Sequence, residues 1–444
     1  MMNLKIYLRQ AWTLIKQNKL YSAIYIAGTG LSVALIMVVF TIYYIKFAPI
    51  YPENNRNTTM VMKSINIRMG DGMMANGLSY HLGHDVIPHM KNAKDVAMVN
   101  YESGFINDKL IVMPRGKENI EVTPMYVNDG FWRVFTFDFL NGRPFTDADG
   151  RAQRNKAVIS ASLARKVFGS VNATGKHLEN NGRNYEVAGV VKDVSAATPA
   201  TYADIWMVIL RSEGADSDDR SFMMGSLDIG KWKIMGGYHC FITVKDGKDR
   251  ALLKDEITQY VKRLSLLHQK DSITFDLAGQ PDTYFESSLR SFNNAPIDFK
   301  TKMTDFFVMM FALLFVPALN LCGMISSRMD SRMSEMGIRK AFGAQRKTLL
   351  SQILNENMIL TAMGALLGLL ISYVILEVAS DWILQIFNAF GDSNHVNITF
   401  EMLFNPVIIC IAVVVCFVLN LISAVLPAIL SLRHNIIYSI NTKR

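Results

Sequence analysis

The sequence predicts an α-helical membrane protein with four transmembrane helices plus a large mixed α+β extracytoplasmic domain between helices 1 and 2. Three observations predict it. Half of the 444 residues are hydrophobic and only 19% are charged, too apolar for an ordinary soluble chain. Four apolar runs reach the roughly 20 residues that a helix needs to cross about 30 Å of hydrocarbon. The Lys and Arg residues beside those runs are placed so that one orientation satisfies every short flank.

In chain order, residues 1–20 read as a cytoplasmic amphipathic helix. Leu4, Leu8, Trp12 and Ile15 share one face while Lys5, Arg9 and Lys16 lie elsewhere, the pattern of a helix resting in the membrane interface. Residues 21–46 form the first span, "YSAIYIAGTGLSVALIMVVFTIYYI" and the lysine after it. The run has no small-residue cleavage pattern behind it, so it reads as an uncleaved anchor rather than a signal peptide. The second span covers 305–327, the third 357–380 and the fourth 406–430, with a tail at 431–444. Lys5, Arg9, Lys16 and Lys19 precede the first span, Arg328, Arg332, Arg339, Lys340, Arg346 and Lys347 fall in the 328–356 loop, and Arg433, Lys443 and Arg444 end the chain. The 381–405 loop has no Lys or Arg. Both termini and the 328–356 loop are therefore expected inside, with 47–304 and 381–405 outside. The net charge of +8 is then mostly a topology signal, and nucleic acid is not an expected partner.

Within 47–304, β-branched and aromatic runs predict strands from Met60 ("MVMKSINIR"), Ile120 ("IEVTPMYV"), Tyr185 ("YEVAGVV") and His239 ("HCFITV"). Helices are predicted from Ser160, which supplies a start signal with Gly169 as the stop, and from Asp249, where Leu253, Ile257, Tyr260, Val261 and Leu264 share a face.

Catalytic motifs are scarce. "GSVNATGKH" (169–177) has one residue too many between its glycines, and His177 stands where a phosphate loop needs Ser or Thr. His81, His84, Asp85 and His89 could gather a metal, but Gly83 and Pro88 interrupt them, and a polar surface loop is the expectation. Three of the four cysteines, Cys322, Cys410 and Cys416, lie in apolar runs, so Cys240 has no partner for a disulfide in the polar middle. No catalytic, cofactor or metal residues are expected. "GTG" at 28–30 and the G-x-x-x-G of Gly364 and Gly368 put small residues on spans one and three, where backbones can approach. Packing within one subunit and a dimer contact are both open for the latter. Pro317, Asn320, Asn420 and Pro427 mark places where spans two and four kink or hydrogen-bond to neighbours.

The stretch "SEMGIRKAFGAQRKTLLSQILNE" resembles the loop signature of FtsX/MacB-type permeases of ABC transport systems. Glu335, Gly337, Ile338, Arg339, Lys340, Ala341, Gly343, Ala344 and Glu356 match in register, and Phe342 sits among them. "VFTFDFLNGRPFTDAD", "KAVISASLARKVFGS" and "TGKHLENNGRNYEVAGVVKDV" resemble the MacB-like periplasmic domain in order and spacing. Asn435-Ile436 departs from the family's Asn-Pro-like pair. The resemblance implies a permease subunit in the bacterial inner membrane that transmits the motion of an ATPase to its outer domain, for export or extraction of a substrate. Because only residues 1–20 precede the first span, the ATPase is expected on a separate polypeptide. The implied partners are that ABC ATPase, a second permease subunit in a homo- or heterodimer, and a periplasmic adaptor or outer-membrane protein. Residues 335–344 would dock the ATPase, with Arg339 and Lys340 selecting orientation and Ile338, Ala341 and Phe342 giving apolar area. The alternatives are a membrane anchor that recruits periplasmic partners without ATP-driven transport, and a tethered enzyme using the outer domain.

Overall fold

The computed structural model describes residues 16, 19–101, 110–113, 120–180, 183–210, 234–312, 315, 338–339, 342–378 and 406–433. Most of the expected interfacial helix, the second span beyond residue 315, the 381–405 loop and the tail from residue 434 lie outside them, as do Pro317 and Asn320. Two units are distinct among the described residues: an outer one of Ile45–Phe299, and a helical one that holds the residues up to Tyr44, those from Lys300 to Val378 and the last helix.

The outer unit is built on strands β1 (Thr59–Met62), β2 (Ile65–Met69), β3 (Gly72–Leu78), β4 (Ala93–Asn100), β5 (Leu110–Met113), β6 (Ile120–Val122), β7 (Pro124–Val127), β8 (Phe139–Gly142), β9 (Lys156–Ser160), β10 (His177–Asn180), β11 (Arg183–Val191), β12 (Ile205–Val208), β13 (Met235–Gly236), β14 (His239–Val244), β15 (Ile273–Asp276) and β16 (Asp282–Thr283). Twelve of them form one mixed sheet in the order β16-β1-β14-β4-β7-β12-β9-β11-β10-β5-β6, with β8 paired to β11. The pairs β11/β9 and β12/β7 are parallel. A second sheet runs β13-β3-β2-β15.

Side chains alternate across a strand, and here each side meets its own apolar cluster. Met60, Met62, Val96, Met98, Ile205, Met207, Cys240 and Ile242 enter one. Val61, Ala97, Val99, Trp206, Val208 and Phe241 enter the other. A sheet covered on both faces has strands that read as continuous apolar runs rather than alternating ones, as in "IWMV" and "HCFITV".

The strands expected from Tyr185 and His239 form as β11 and β14. The other two runs behave differently. The run from Met60 is two strands in two sheets: β1 pairs with β14 and β2 with β3 and β15, with a break at Lys63 and Ser64. The run from Ile120 breaks at Thr123, whose amide donates to the Asp204 carboxylate at 2.9 Å, so β6 sits at the sheet edge and β7 in its middle. Helix α1 (Lys19–Phe47) precedes the sheet; α2 (Ala161–Phe168) and α3 (Asp249–Leu267) cover the first cluster. Ser160 Oγ caps α2 by accepting from the Leu163 amide, and Gly169 ends it with φ +71°, a backbone angle only glycine adopts cheaply. On α3, Leu253, Ile257 and Val261 are buried. Helix α4 (Tyr284–Leu289) follows β16.

The helical unit contains most of α1, helical residues 300–312, α5 (Arg346–Val378) and α6 (Pro406–Arg433). Two stretches, Ser22–Phe47 and Asn357–Val378, are long and apolar enough to cross a bilayer. Val33, Ile36 and Met37 of α1 meet Ala365 of α5 and Ala412 of α6 in one buried cluster. Asn420 and Pro427 fall inside α6.

Candidate functional site

Among the expected coupling residues, Ile338, Arg339, Phe342, Gly343 and Ala344 are described; Glu335, Gly337, Lys340 and Ala341 are not. The Phe342 amide donates to the Ile338 carbonyl at 3.1 Å, and the Ala344 amide donates to the Arg339 carbonyl at 3.0 Å. With Gly343 at φ +88°, this is a Schellman-type helix end, in which a left-handed residue lets the chain leave while the last carbonyls stay bonded. The chain then re-enters helix at Arg346, and the Thr348 amide donates to the Gln345 carbonyl at 3.0 Å. The expected 328–356 loop therefore contains the first turns of α5, with Glu356 inside that helix. Phe342 is 87% and Ile338 50% exposed. Large apolar side chains this open, beside cations, make a short helical knob with area to bury against something else.

Gly364 and Gly368 lie on α5 against α1. A Cβ added at Gly368 would stand 2.5 Å from the Gly30 carbonyl oxygen and 2.6 Å from Val33 Cβ; one at Gly364 would stand 2.7 Å from Thr29 Cβ. Bare backbone permits this approach in a setting where packing, not hydrophobicity, holds helices together.

The histidine cluster is knotted into carboxylates. His84 Nδ1 lies 2.8 Å from Asp85 and its Nε2 3.1 Å from Asp147, while His81 Nδ1 lies 3.0 Å from the other Asp85 oxygen. His89 Nδ1 contacts the Asp85 carbonyl. Residues His81–Val86 form a π-helix, not the loop expected. No group of three or more His, Cys, Asp or Glu side chains among the described residues is placed to hold a metal ion. The glycine run 169–177 is a surface turn with Lys176 Nζ over the Phe168 ring at 5.1 Å. Cys240 is buried, which pushes its thiol up to about 12 and leaves it unreactive at neutral pH.

One cluster had no counterpart in the sequence reading. Glu53 and Arg56, 1% and 3% exposed, pair at 2.8 Å. The Glu53 carboxylate also accepts from Thr201 Oγ1 at 3.1 Å and from the Tyr284 hydroxyl. Arg56 Nη1 donates to the carbonyls of Ile45 and Ala48, both at 2.7 Å. Burial and the adjacent Glu53 carboxylate hold the Tyr284 phenol well above its ordinary range. The signal present in the sequence was a Glu and an Arg three residues apart directly after an apolar span. Such a pair more often belongs to a solvated loop.

His239 supplies a pH test of the outer unit. Its Nδ1 is buried with no hydrogen-bond partner among the described residues, and the Tyr101 ring lies 5.3 Å away. Burial, then the nearby Lys63 charge, pushes its pKa from 6.5 down to about 3. The unfolded chain takes up this proton below about pH 6.5 while the folded chain does not until about pH 3, so stability falls as pH falls through that window. Parent and His239→Gln, unfolded by urea between pH 6.5 and 4.5, are expected to converge in stability by about 1 kcal/mol per pH unit. A constant difference between them would contradict the buried neutral ring.

The family model described as MacB-like periplasmic core domain matches residues 22–260, and that described as FtsX-like permease C-terminal matches 307–436. The macrolide export ATP-binding/permease protein MacB of Bdellovibrio bacteriovorus is 22% identical over 318 residues, covering 70% of this chain and 44% of that protein. The uncharacterized ABC transporter permease YknZ of Bacillus subtilis is 25% identical over 260 residues, 58% of each chain. The chain thus spans about half the length of the curated relatives it matches. Among solved structures, the periplasmic region of MacB from Actinobacillus actinomycetemcomitans overlaps 51% of this chain and 92% of its own, at 16% identity and a TM-score of 0.32.

Proposed function

We propose, since this chain belongs to the FtsX/MacB-type family of ABC transporter permeases, that it passes the ATP-driven motion of a separate ATPase across the bacterial inner membrane to its outer unit, for export or extraction of a substrate. Four spans carry the motion, with both termini and the 328–356 loop inside and residues 47–304 outside. Two such subunits, alike or different, act together, and a periplasmic adaptor or outer-membrane protein receives the outer unit.

The observation that carries this reading is the exposed knob around Ile338, Arg339 and Phe342, which ends at a Schellman turn and opens into α5. A short helix with an open aromatic anchor suits a groove in a partner. Its attachment to a helix of 33 residues gives displacement at the knob a stiff path. Moving a two-state element from 1:99 to 99:1 takes about 5.5 kcal/mol of differential binding, so the knob must dock firmly.

Gentle purification of the full chain from its native membrane tests the reading. An ATP-hydrolysing protein is expected to copurify, and the chain stripped of it is expected to show no hydrolysis. Hydrolysis by the stripped chain, or capture of periplasmic proteins with no ATPase, would overturn it; the second result is what a passive anchor gives.

A further inference from the structure

We propose that Glu53, Arg56 and Tyr284 form a joint that locks the outer end of α1 to the start of α4, so that the segment entering the outer unit and the segment leaving it move together. What motion the joint carries rests on the function proposed above; that the joint exists does not.

A helix leaves its last carbonyls without partners, and cations stabilise that negative end. Arg56 Nη1 supplies this to Ile45 and Ala48 at 2.7 Å each. Its remaining donors, Nε and Nη2, both reach Glu53 Oε2 at 2.8 Å. Glu53 in turn is gripped by Thr201 Oγ1 and the Tyr284 hydroxyl. The Arg56 guanidinium lies 4.7 Å above the Tyr284 ring, a cation–π contact. Beside it the rings of Phe47 and Phe285 meet at 4.9 Å. The last turn of α1 and the first turn of α4 are thus held by the same three side chains.

The leaving segment is itself fixed. Thr283 and Glu286 form a capping box at the start of α4, and β16 pairs with β1 through Met60↔Thr283 and Val61↔Asp282. Arg290 holds Asp282 through two bonds of 2.7 Å, both side chains buried. Since β1 begins three residues after Arg56, sheet edge, α4 and the end of α1 form one continuous hydrogen-bonded body.

A buried ion pair is a poor way to gain stability, because apolar side chains of the same volume commonly do as well or better. What a buried pair with four of the five guanidinium N–H groups placed supplies instead is one fixed geometry. The pair stands where the outer unit is entered and left, and two of its donors are spent on carbonyls at the end of α1 and just past it, rather than on the sheet. That placement assigns it to positioning.

Hydrogen exchange on the full chain in nanodiscs, without nucleotide or partner, tests the joint. Tyr284→Phe removes one donor; Glu53→Gln with Arg56→Met removes the charges together and strands neither. In the double variant, amides of residues 43–48 and 284–289 are expected to exchange about tenfold faster or more, while those of β9 and β11 stay within about twofold of the parent. Tyr284→Phe is expected to show the same pattern, smaller. Unchanged protection at residues 43–48, or an equal loss across β9 and β11, overturns the joint; the second result is what a general stabiliser gives. Copurification of the ATPase by the double variant is expected to match the parent, which separates failure of this inference from failure of the docking reading.

Discussion

Gly368→Leu is expected to drive α1 and α5 apart and to destabilise the helical unit by about 3 kcal/mol or more, the upper end for overpacking. The geometry leaves no gentle adjustment. Even the first added carbon stands 2.5 Å from the Gly30 carbonyl oxygen and 2.6 Å from Val33 Cβ, and neither is the free end of a flexible side chain. Gly30→Ala meets Gly364 O at 3.2 Å and Leu367 Cδ2 at 3.3 Å, where shifts of a few tenths of an ångström suffice, so its effect should be smaller than that of Gly368→Ala. Leu366→Ala, at a side chain 65% exposed, serves as the silent control. Thermal unfolding and size-exclusion profiles of the detergent-purified chain read the series. A Gly368→Leu protein as stable and monodisperse as the parent would rule out this helix crossing. Both the dimer contact and the packing within one subunit were open from spacing alone; the distances to Thr29, Gly30 and Val33 lie within one chain.

The parts of the fold that the sequence disclosed are those where one short window holds all the physics. Ser160 and Gly169 bracket α2 with a hydroxyl cap and a left-handed exit, both local devices. Leu253, Ile257 and Val261 declare the inner face of α3 by their period alone. The sheet partition at Lys63 was hidden because β1 and β2 differ only in their partners: β1 takes β14, some 180 residues away, while β2 takes the adjoining β3 and β15, some 200 residues away. The π-helix at His81 was hidden for another reason: Ser79 and the carboxylates of Asp85 and Asp147 satisfy it, and Asp147 lies on a different element. The coupling knob stood out because glycines punctuate it and cations fill it. The Glu53 cluster did not, since Tyr284 lies 231 residues from Glu53 and nothing at either position announces the other.

Reversing both cations of the knob, Arg339→Glu with Lys340→Glu, is expected to abolish ATPase capture while leaving the permease folded. Lys340 lies outside the described residues; Arg339 occupies the last turn before Gly343. A charge that meets its complement in a partially desolvated interface costs about 2–5 kcal/mol when mismatched. Two reversals therefore reach the roughly 5.5 kcal/mol that a switch of this kind requires, equivalent to about a ten-thousandfold change in binding. A stability loss of that size is not expected, because surface charge changes mostly fall within about 0.5 kcal/mol. Phe342→Ala probes the apolar half of the same contact. The ring is 87% exposed, so its removal has little to disturb within the chain, yet an aromatic anchor buried in a partner is worth about 2 kcal/mol or more. The two variants thus report on separate forces, and only the charge reversal should grow milder as salt is raised in the copurification buffer. Full ATPase capture by both variants, with the chain properly inserted, would remove the knob from the coupling path and leave it as an anchor that merely fixes which side of the membrane it faces.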